Sequence, residues 1–301
     1  MRVTITVPEE TTTGFVIAAD RDPGDIASTL RRHLPVPLST AAAMRLGTPH
    51  LMIACHPAND SPWDLSNVVG EDEDDAERLH HAARHIGVTS VLPVGDVPSG
   101  PHVARVTARA IAESLCGVLV DLATGRTLPL PRLGRPDGFA LADEWLGTGL
   151  PPYRNSGRCT ADEDDIDGCA CVALHTTGLH RFGIPELEIT EVACPHDLAA
   201  LNLLRTTAQR LLPLGRHPGD HTLPNELILT SADFSAFWGN QDPMWDDGPI
   251  AVQLAEAAPN RLSIRPPRGF PGTLNEWLWD ELPPVLHEVL TCEPDRSPTP
   301  N

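Results

Sequence analysis

The sequence predicts an α+β protein with two α/β-sandwich-like halves, in which mixed or antiparallel sheets are covered by helices. Short apolar runs that are typical of strands alternate with helical patterns through the first half. A stretch rich in Pro, Gly and Asp then interrupts the pattern, and a hairpin pattern followed by a long helical one comes after it. Because 301 residues suffice for two ordinary domains, we expect one domain on each side of the interruption.

The N-terminal domain is expected over residues 1–135. Its first part contains four predicted strands and two predicted helices: strands Arg2–Val7, Gly14–Ala19, His50–Cys55 and Val88–Val94, and helices Asp25–Leu34 and Asp75–Ile86. A third helix begins at Pro101, has its apolar residues on one face and stops near Gly117. A buried strand, Val118–Leu122, follows and turns back into Thr127–Leu130.

Residues 136–168 are the predicted connection, and residues 169–291 are the predicted C-terminal domain. Residues 292–301 contain three prolines and no apolar pattern, so we expect a disordered tail. The rest of the C-terminal domain is expected to contain three strands and a last helix that a Thr-Leu-Asn-Glu capping box opens: strands Glu226–Thr230, Ile250–Ala255 and Arg261–Arg265, and a helix from Thr273.

The C-terminal domain is expected to open on a hairpin formed by Cys169–Thr177 and Pro185–Val192. Side chains alternate across a strand, so the Val and Leu residues of the first segment form its core face. Cys169, Cys171 and His175 then share the opposite face. The segment Pro195–Leu212 follows as an amphipathic helix.

The chain is strongly acidic, with a formal net charge of −19, and all 22 of its basic residues are arginine. A surface that binds nucleic acid needs clustered positive charge, so we expect no nucleic-acid partner. The lack of lysine excludes Schiff-base chemistry and a Walker-type phosphate loop. Acidic charge suits a protein partner with a basic surface, and the alternative is that the charge only maintains solubility.

The first residues read as a short strand and lack the basic start and apolar run of a signal peptide. No apolar stretch approaches the roughly 18 residues that would suggest a membrane span. We therefore expect a cytoplasmic protein that does not enter a membrane.

Four of the seven cysteines are clustered, namely Cys159, Cys169, Cys171 and Cys194. Four thiolates can close a tetrahedral Zn²⁺ site, in which His175 or His196 could replace one of them. The spacing matches no recognised zinc-finger pattern, and free cysteines often pack as small hydrophobic residues. Zinc is therefore one hypothesis for the cluster, and unligated thiols are the other.

A catalytic hypothesis uses Cys171 as a nucleophile and His175 as its base, with help from Glu186 or Glu188 on the neighbouring strand. Cys194 with His196 is a second such pair. The alternative for the two glutamates is the solvated face of a hairpin.

The run from Thr176 to Ile189 has the pattern T-x-G-L-x-x-F-G-x-P-E-L-E-I. It resembles a core shared by a conserved bacterial family, some members of which are similar to immunity proteins of toxin systems. The surrounding Arg158–Leu212 resembles an actinobacterial family. The resemblance implies an α+β fold and an actinobacterial source, and it gives no catalytic residue.

Two functions follow as expectations. The first is a non-catalytic binding protein, immunity- or antitoxin-like, with an acidic surface for a cationic partner and a structural cysteine cluster. The second is a metal- or thiol-dependent enzyme, of the kind that tailors secondary metabolites, centred on residues 159–194. The residues leave open whether the protein is an enzyme.

Overall fold

The computed structural model describes residues 1–69, 73–130, 139–148, 170, 172–240, 242 and 249–280. In chain order their strands and α-helices are β1 (Arg2–Val7), β2 (Glu10–Ala19), α1 (Ile26–His33), α2 (Val36–Arg45), β3 (Met52–Pro57), α3 (Glu73–His81), β4 (Arg84–Pro93), α4 (Ser99–Leu115), β5 (Val118–Asp121), β6 (Arg126–Leu128), β7 (Val172–His175), β8 (Glu186–Val192), α5 (Asp197–Leu211), β9 (Gly219–Pro224), β10 (Glu226–Leu229), α6 (Ser231–Phe237), β11 (Ile250–Ala258), β12 (Arg261–Arg265) and α7 (Leu274–Asp280). The predicted α+β class is confirmed.

The N-terminal sheet is antiparallel and has the order β3-β4-β2-β5-β6. Strand β2 lies at its centre and buries consecutive residues from Phe15 to Ala19, because both of its faces are covered. Helix α4 packs against this sheet with its apolar face and contacts α1 and α2 on another side. It ends at Leu115, where Cys116 adopts a left-handed conformation with φ of 52°. The predicted strand, turn and hairpin after this helix are confirmed.

The C-terminal sheet is mixed and has the order β10-β11-β12-β8-β7. The β12–β8 pair is parallel and the other pairs are antiparallel. Helix α5 packs on this sheet and on α6. Buried residues lie on almost all sides of α5. The hydroxyls of Thr206 and Thr207 donate to the carbonyls four residues earlier, both at 2.7 Å. The sequence predicted one apolar stripe, but the structure buries α5 on most sides.

A two-stranded ribbon links the two halves. Strand β1, from the start of the chain, pairs antiparallel with β9 of the C-terminal half, from Arg2 opposite Pro224 to Val7 opposite Gly219. Most buried apolar side chains of both halves, including those of β1, form one continuous core, and Ala18, Ala82 and Val118 form a small separate cluster. The two sheets are therefore parts of one packed structure.

The prediction was wrong about where one helix, α3, ends. The helix predicted over Asp75–Ile86 ends at His81, and Arg84 already begins β4. Strand pairing decides this, because Arg84 lies opposite Ala19 of β2 on one side and Pro57 of β3 on the other. The local helical pattern is overridden by contacts that are distant in sequence.

Three elements were not predicted at all, namely α2, β9 and α6. Strand β9 is exposed along most of its length and depends on β1 for its hydrogen bonds. Of the predicted connection, residues 139–148 are described, and they bury Leu141 and Trp145 in the core. The predicted tail, 292–301, lies outside the described residues. No helix in the described part of the chain combines the length and the apolar character needed to cross a membrane.

Helix α6 gives a direct test of local structure. Thr230 caps it: the Oγ1 atom accepts from the Asp233 amide at 3.2 Å, and the Thr230 amide donates to Asp233 Oδ2 at 2.9 Å. We expect Thr230→Ala to lower the free energy of unfolding by about 1 kcal/mol. The matched Thr230→Ser keeps the hydroxyl and should stay within about 0.5 kcal/mol of the wild type in urea unfolding. Equal losses in both variants would contradict the capping role.

Candidate functional site

The turn between β7 and β8 is organised by one carboxylate, that of Glu186. Its Oε1 accepts from the amides of Gly178 at 3.0 Å and His180 at 3.2 Å, and from Nδ1 of His180 at 2.9 Å. Its Oε2 accepts from Oγ1 of Thr176 at 2.7 Å. Because an ionised carboxylate can only accept, Nδ1 of His180 carries the hydrogen in this contact.

The ionisation of Glu186 reflects two opposing effects. Burial alone would raise its pKa, since only 18% of the side chain is exposed. The hydrogen bonds from His180 and Thr176 together outweigh burial and hold the pKa of Glu186 below its usual value. The carboxylate is thus charged at neutral pH, and its charge fixes the shape of the turn.

The same turn carries Arg181 into the interior. Its Nη1 and Nη2 atoms donate to Oδ2 and Oδ1 of Asp121, both at 2.9 Å, and neither side chain is exposed. Nε of Arg181 donates to the Gly178 carbonyl at 3.2 Å, and the Ala123 amide donates to Oδ1 of Asp121 at 2.9 Å. Asp121 ends β5 of the N-terminal sheet, so this two-fold contact joins the two halves.

Close backbone packing fixes the turn from the other side. A Cβ on Gly215 would lie 1.8 Å from the carbonyl oxygen of Phe182, so only glycine fits there. Gly183 has φ of 76°, which favours glycine, and its position is also crowded by the Gly215 carbonyl. The Phe182 ring packs edge-on against Phe139 and Trp145, with centroids 5.4 and 5.8 Å apart.

Two further arginines, one turn apart on α4, lie beside the Arg181–Asp121 contact, which we call the junction. Arg105 donates to the Asp143 carbonyl at 2.5 Å and contacts Oε2 of Glu144 at 3.3 Å, and its guanidinium lies 4.3 Å from the Trp145 ring centroid. Arg109 lies 3.6 Å from the same Glu144 oxygen. Burial, and then the nearby charge of Arg109, lower the pKa of Arg105 to about 9.

A surface pocket of about 260 Å³ opens next to the turn. It lies between the ribbon strand β1 and the start of β8. Its apolar wall consists of Pro8, Ile184 and Pro185, and Thr6, His180 and Glu186 contribute polar atoms. More than half of the His180 side chain is exposed, and the other nitrogen of its ring, Nε2, is not the one that binds Glu186.

The predicted hairpin is confirmed, and its faces are as expected. Val172 and Leu174 are buried, while His175 is exposed and lies opposite Glu188 in the β7–β8 register. Glu188 turns its carboxylate to Arg261 at 3.5 Å. Glu191 breaks the alternation of β8: it lies two residues after the buried Ile189 but is exposed, with a positive φ of 60° in an irregular stretch of pairing.

The predicted zinc ligands Cys159, Cys169 and Cys171 lie outside the described residues. Cys194 is half-buried and begins a short 3₁₀ turn before α5. Within the described ranges no group of three His, Cys, Asp or Glu side chains could hold a metal ion. The zinc site therefore stays a prediction, and elemental analysis of the purified protein measures it.

The second predicted catalytic pair, Cys194 with His196, lies where the start of α5 packs against α7. His196 is buried, and its ring meets the exposed Trp279 edge-on with centroids 4.2 Å apart. The amide of Ala193, just before Cys194, donates to Asn275 Oδ1 at 2.8 Å. This region joins the start of α5 to α7.

Sequence reasoning paired His175 with Glu186 or Glu188, and the register places His175 opposite Glu188, while Glu186 has another histidine as its partner. Its histidine partner is His180, five residues after His175. The Arg181–Asp121 pair was missed, because nothing in the sequence distinguishes a buried arginine from an exposed one. The one available signal was the Gly-Leu-His-Arg-Phe-Gly run itself, whose two glycines indicate a tight turn.

The fold and this junction define an α+β protein whose two sheets are joined by a buried Arg–Asp pair and flanked by a surface pocket. No family model, no curated protein and no solved structure matches the chain.

The buried pair makes a first prediction for this site. Arg181→Met leaves Asp121 charged and without its partner in the core, so we expect a loss of about 3–5 kcal/mol in the free energy of unfolding. Adding Asp121→Asn removes the stranded charge and keeps the acceptor for the Ala123 amide. In urea unfolding, the free energy that the double variant loses should therefore be smaller than the sum of the two single losses by at least about 1 kcal/mol. Strict additivity would contradict the coupling.

Glu186 makes a second prediction, on pH. Its pKa is lowered in the folded state, so its stabilisation is complete above the unfolded value of 4.5 and is lost as the pH falls through the folded value. Glu186→Gln places an amide donor against the donors of the turn and should cost about 1.5–3 kcal/mol at pH 7.

Urea unfolding as a function of pH measures this effect. The difference between wild type and Glu186→Gln should shrink as the pH drops below 4.5. Glu188→Gln is the matched control, because it removes the same charge from the same strand but breaks only the 3.5 Å surface contact with Arg261. It should change stability by less than about 1 kcal/mol. A pH-independent effect of Glu186→Gln would refute the charged role of Glu186.

Proposed function

We propose that the protein is a non-catalytic binding protein whose acidic surface takes a cationic protein partner. The observation that carries the proposal is an acidic rim beside a pre-formed pocket. We define this acidic rim as Glu9, Glu10 and Asp220, all of which are exposed. Glu9 and Glu10 follow Pro8 of the pocket wall, and Asp220 accepts from the hydroxyl of Thr6 at 2.7 Å.

The position of the rim follows from backbone contacts. The carbonyl of Glu9 accepts from the Val94 amide at 3.0 Å, and the Val94 side chain lies against Gly183 of the turn. Asp220 is opposite Thr6 in the ribbon. The rim therefore adjoins the pocket along the chain at the β1–β2 connection and across the ribbon at β9.

Burial does not reduce the acidic excess of −19. Among the described residues, three arginines are buried, Arg105, Arg109 and Arg181, against two aspartates, Asp121 and Asp197. The exterior thus keeps its negative charge, which speeds the approach of a cationic partner and makes that approach sensitive to salt.

The polar groups of the junction serve structure. Glu186 accepts four hydrogen bonds from its turn, and Asp121 binds Arg181 and the Ala123 amide. These contacts account for both carboxylates without any chemical step. They favour a rigid recognition surface over an acid–base pair.

The resemblance of the run Thr176–Ile189 to immunity-type proteins gives this proposal a particular form. The run builds the turn, the junction and one wall of the pocket, so it shapes the surface beside the rim. In this form the partner is a basic toxin, and cytoplasmic binding protects the cell that makes it.

A charge-placement experiment tests the proposal. The rim variant Glu9→Gln/Glu10→Gln/Asp220→Asn removes three charges beside the pocket. Captured on beads from a lysate of the source organism, the wild type should retain a basic protein at low salt and release it at high salt, because salt screens exposed charges that are farther apart than the Debye length, about 10 Å at 0.1 M. The rim variant should retain at least about tenfold less of it.

The matched control carries the same change in net charge elsewhere. Asp20→Asn/Asp60→Asn/Glu77→Gln removes three exposed carboxylates, and Asp20 follows the far end of β2, about 30 Å from Glu10 by strand length. This variant should retain the partner like the wild type. No salt-sensitive partner, or equal losses in both variants, would overturn the proposal of a localised acidic surface.

A further inference from the structure

We propose that the pocket beside Glu186 receives a long cationic side chain, arginine or lysine, that projects from the partner. This inference rests on the proposed function for the identity of the partner. The preference of the pocket for such a side chain stands on the pocket's own residues and can be measured without any partner.

The shape of the pocket fits an aliphatic stem with a polar tip. Pro8, Ile184 and Pro185 give it an apolar wall, and Thr6, His180 and Glu186 give it polar atoms. Arginine and lysine side chains combine these two properties, because their methylene groups pack on apolar surface while the charged head meets polar groups. The volume of about 260 Å³ is below the range of sites for drug-sized ligands and cofactors, which begins at about 300 Å³.

The charge of the pocket also favours a cation. Glu186 is ionised, and its Oε2 accepts one hydrogen bond, from Thr176, which leaves that oxygen capacity for another donor. Nδ1 of His180 donates to Glu186, so Nε2 is an acceptor whenever the ring carries only that one hydrogen. Both groups can thus accept N–H donors.

The surrounding charges are mostly negative. The acidic rim contributes three carboxylates, and Asp220 lies against Thr6 of the pocket. Arg261 is opposite Glu186 in the β12–β8 register, but its guanidinium turns to Glu188 at 3.5 Å. Arg216 is exposed, next to Gly215 behind the turn. The charged groups named around the turn are therefore two arginines and five carboxylates, counting Glu186 and Glu188.

The pocket is pre-formed, which lowers the cost of binding. Two of its wall residues are prolines, with fixed φ angles. The left-handed Gly183 is held by the close approach of Gly215, and Glu186 fixes the turn with four hydrogen bonds. Little conformational freedom is left to lose when a side chain enters.

Titration of the full-length protein with N-acetyl-arginine amide tests the inference, with chemical shifts of the His180 ring and of backbone amides as the readout. A single side chain should bind saturably, with a Kd on the order of 1 mM. N-acetyl-citrulline amide has nearly the same shape without the charge, and we expect it to bind at least about tenfold more weakly. Lysine amide that is acetylated on its α-amine keeps the charged side chain and provides a second cationic probe.

Two matched variants place the binding site. Thr6→Phe fills the pocket with a ring that strands accept well, and it should weaken binding about tenfold or more. Thr4→Phe makes the same change two residues earlier on the same exposed face of β1, outside the pocket, and should leave the Kd unchanged. Because both variants alter one exposed strand position, equal amide spectra away from the ribbon show that both are folded.

Each outcome has a defined meaning. Saturable binding of a cationic probe that Thr6→Phe removes and Thr4→Phe retains supports the inference. Absence of saturable shifts with both cationic probes, equal binding of the citrulline amide, or binding that survives Thr6→Phe would overturn it. Partner capture that depends on the acidic rim while no probe binds would leave the proposed function standing and remove only this inference.

Discussion

The bidentate salt bridge between Arg181 and Asp121 is the interaction on which the rest of the structure depends. A buried charge is costly unless an opposite charge and hydrogen bonds compensate it, and the two parallel N–H···O bonds at 2.9 Å provide both. The pair also forces two distant chain segments together: the end of β5 in one sheet and the turn before β8 in the other. The turn conformation contributes directly to this contact, because the Gly178 carbonyl of the turn accepts from Nε of Arg181 at 3.2 Å.

Glu186 holds that conformation through the four hydrogen bonds that it accepts. A glutamate beside a histidine, with a shifted pKa, has the features by which catalytic residues are recognised. In this structure the carboxylate is charged because hydrogen bonds from the turn stabilise its ionised form. The same turn places Arg181 against Asp121. The buried ion pair and the surface pocket are therefore two sides of one small unit, since the residue that shapes the turn also contributes to the pocket wall.

Local patterns in the sequence predicted much of this fold and little of the site. Alternation predicted the β7–β8 hairpin and the solvent face of His175, and spacing predicted the Thr273–Glu276 capping box, because these depend on neighbours in the chain. The start of β4 at Arg84 depends on pairing with two distant strands, and the burial of Arg181 depends on an aspartate 60 residues away. A local pattern carries no information about either partner, so these features could not have been read from it.

The use of arginine in place of lysine connects the interior to the exterior. A planar guanidinium can satisfy both oxygens of Asp121 and can lie near the ring of Trp145, as Arg181 and Arg105 do, whereas a lysine ammonium is a strongly hydrated point charge. Arginines that are accommodated inside do not neutralise the surface. The three buried arginines are thus absent from the exterior, where the exposed carboxylates of the acidic rim form the negative surface that we propose for recognition.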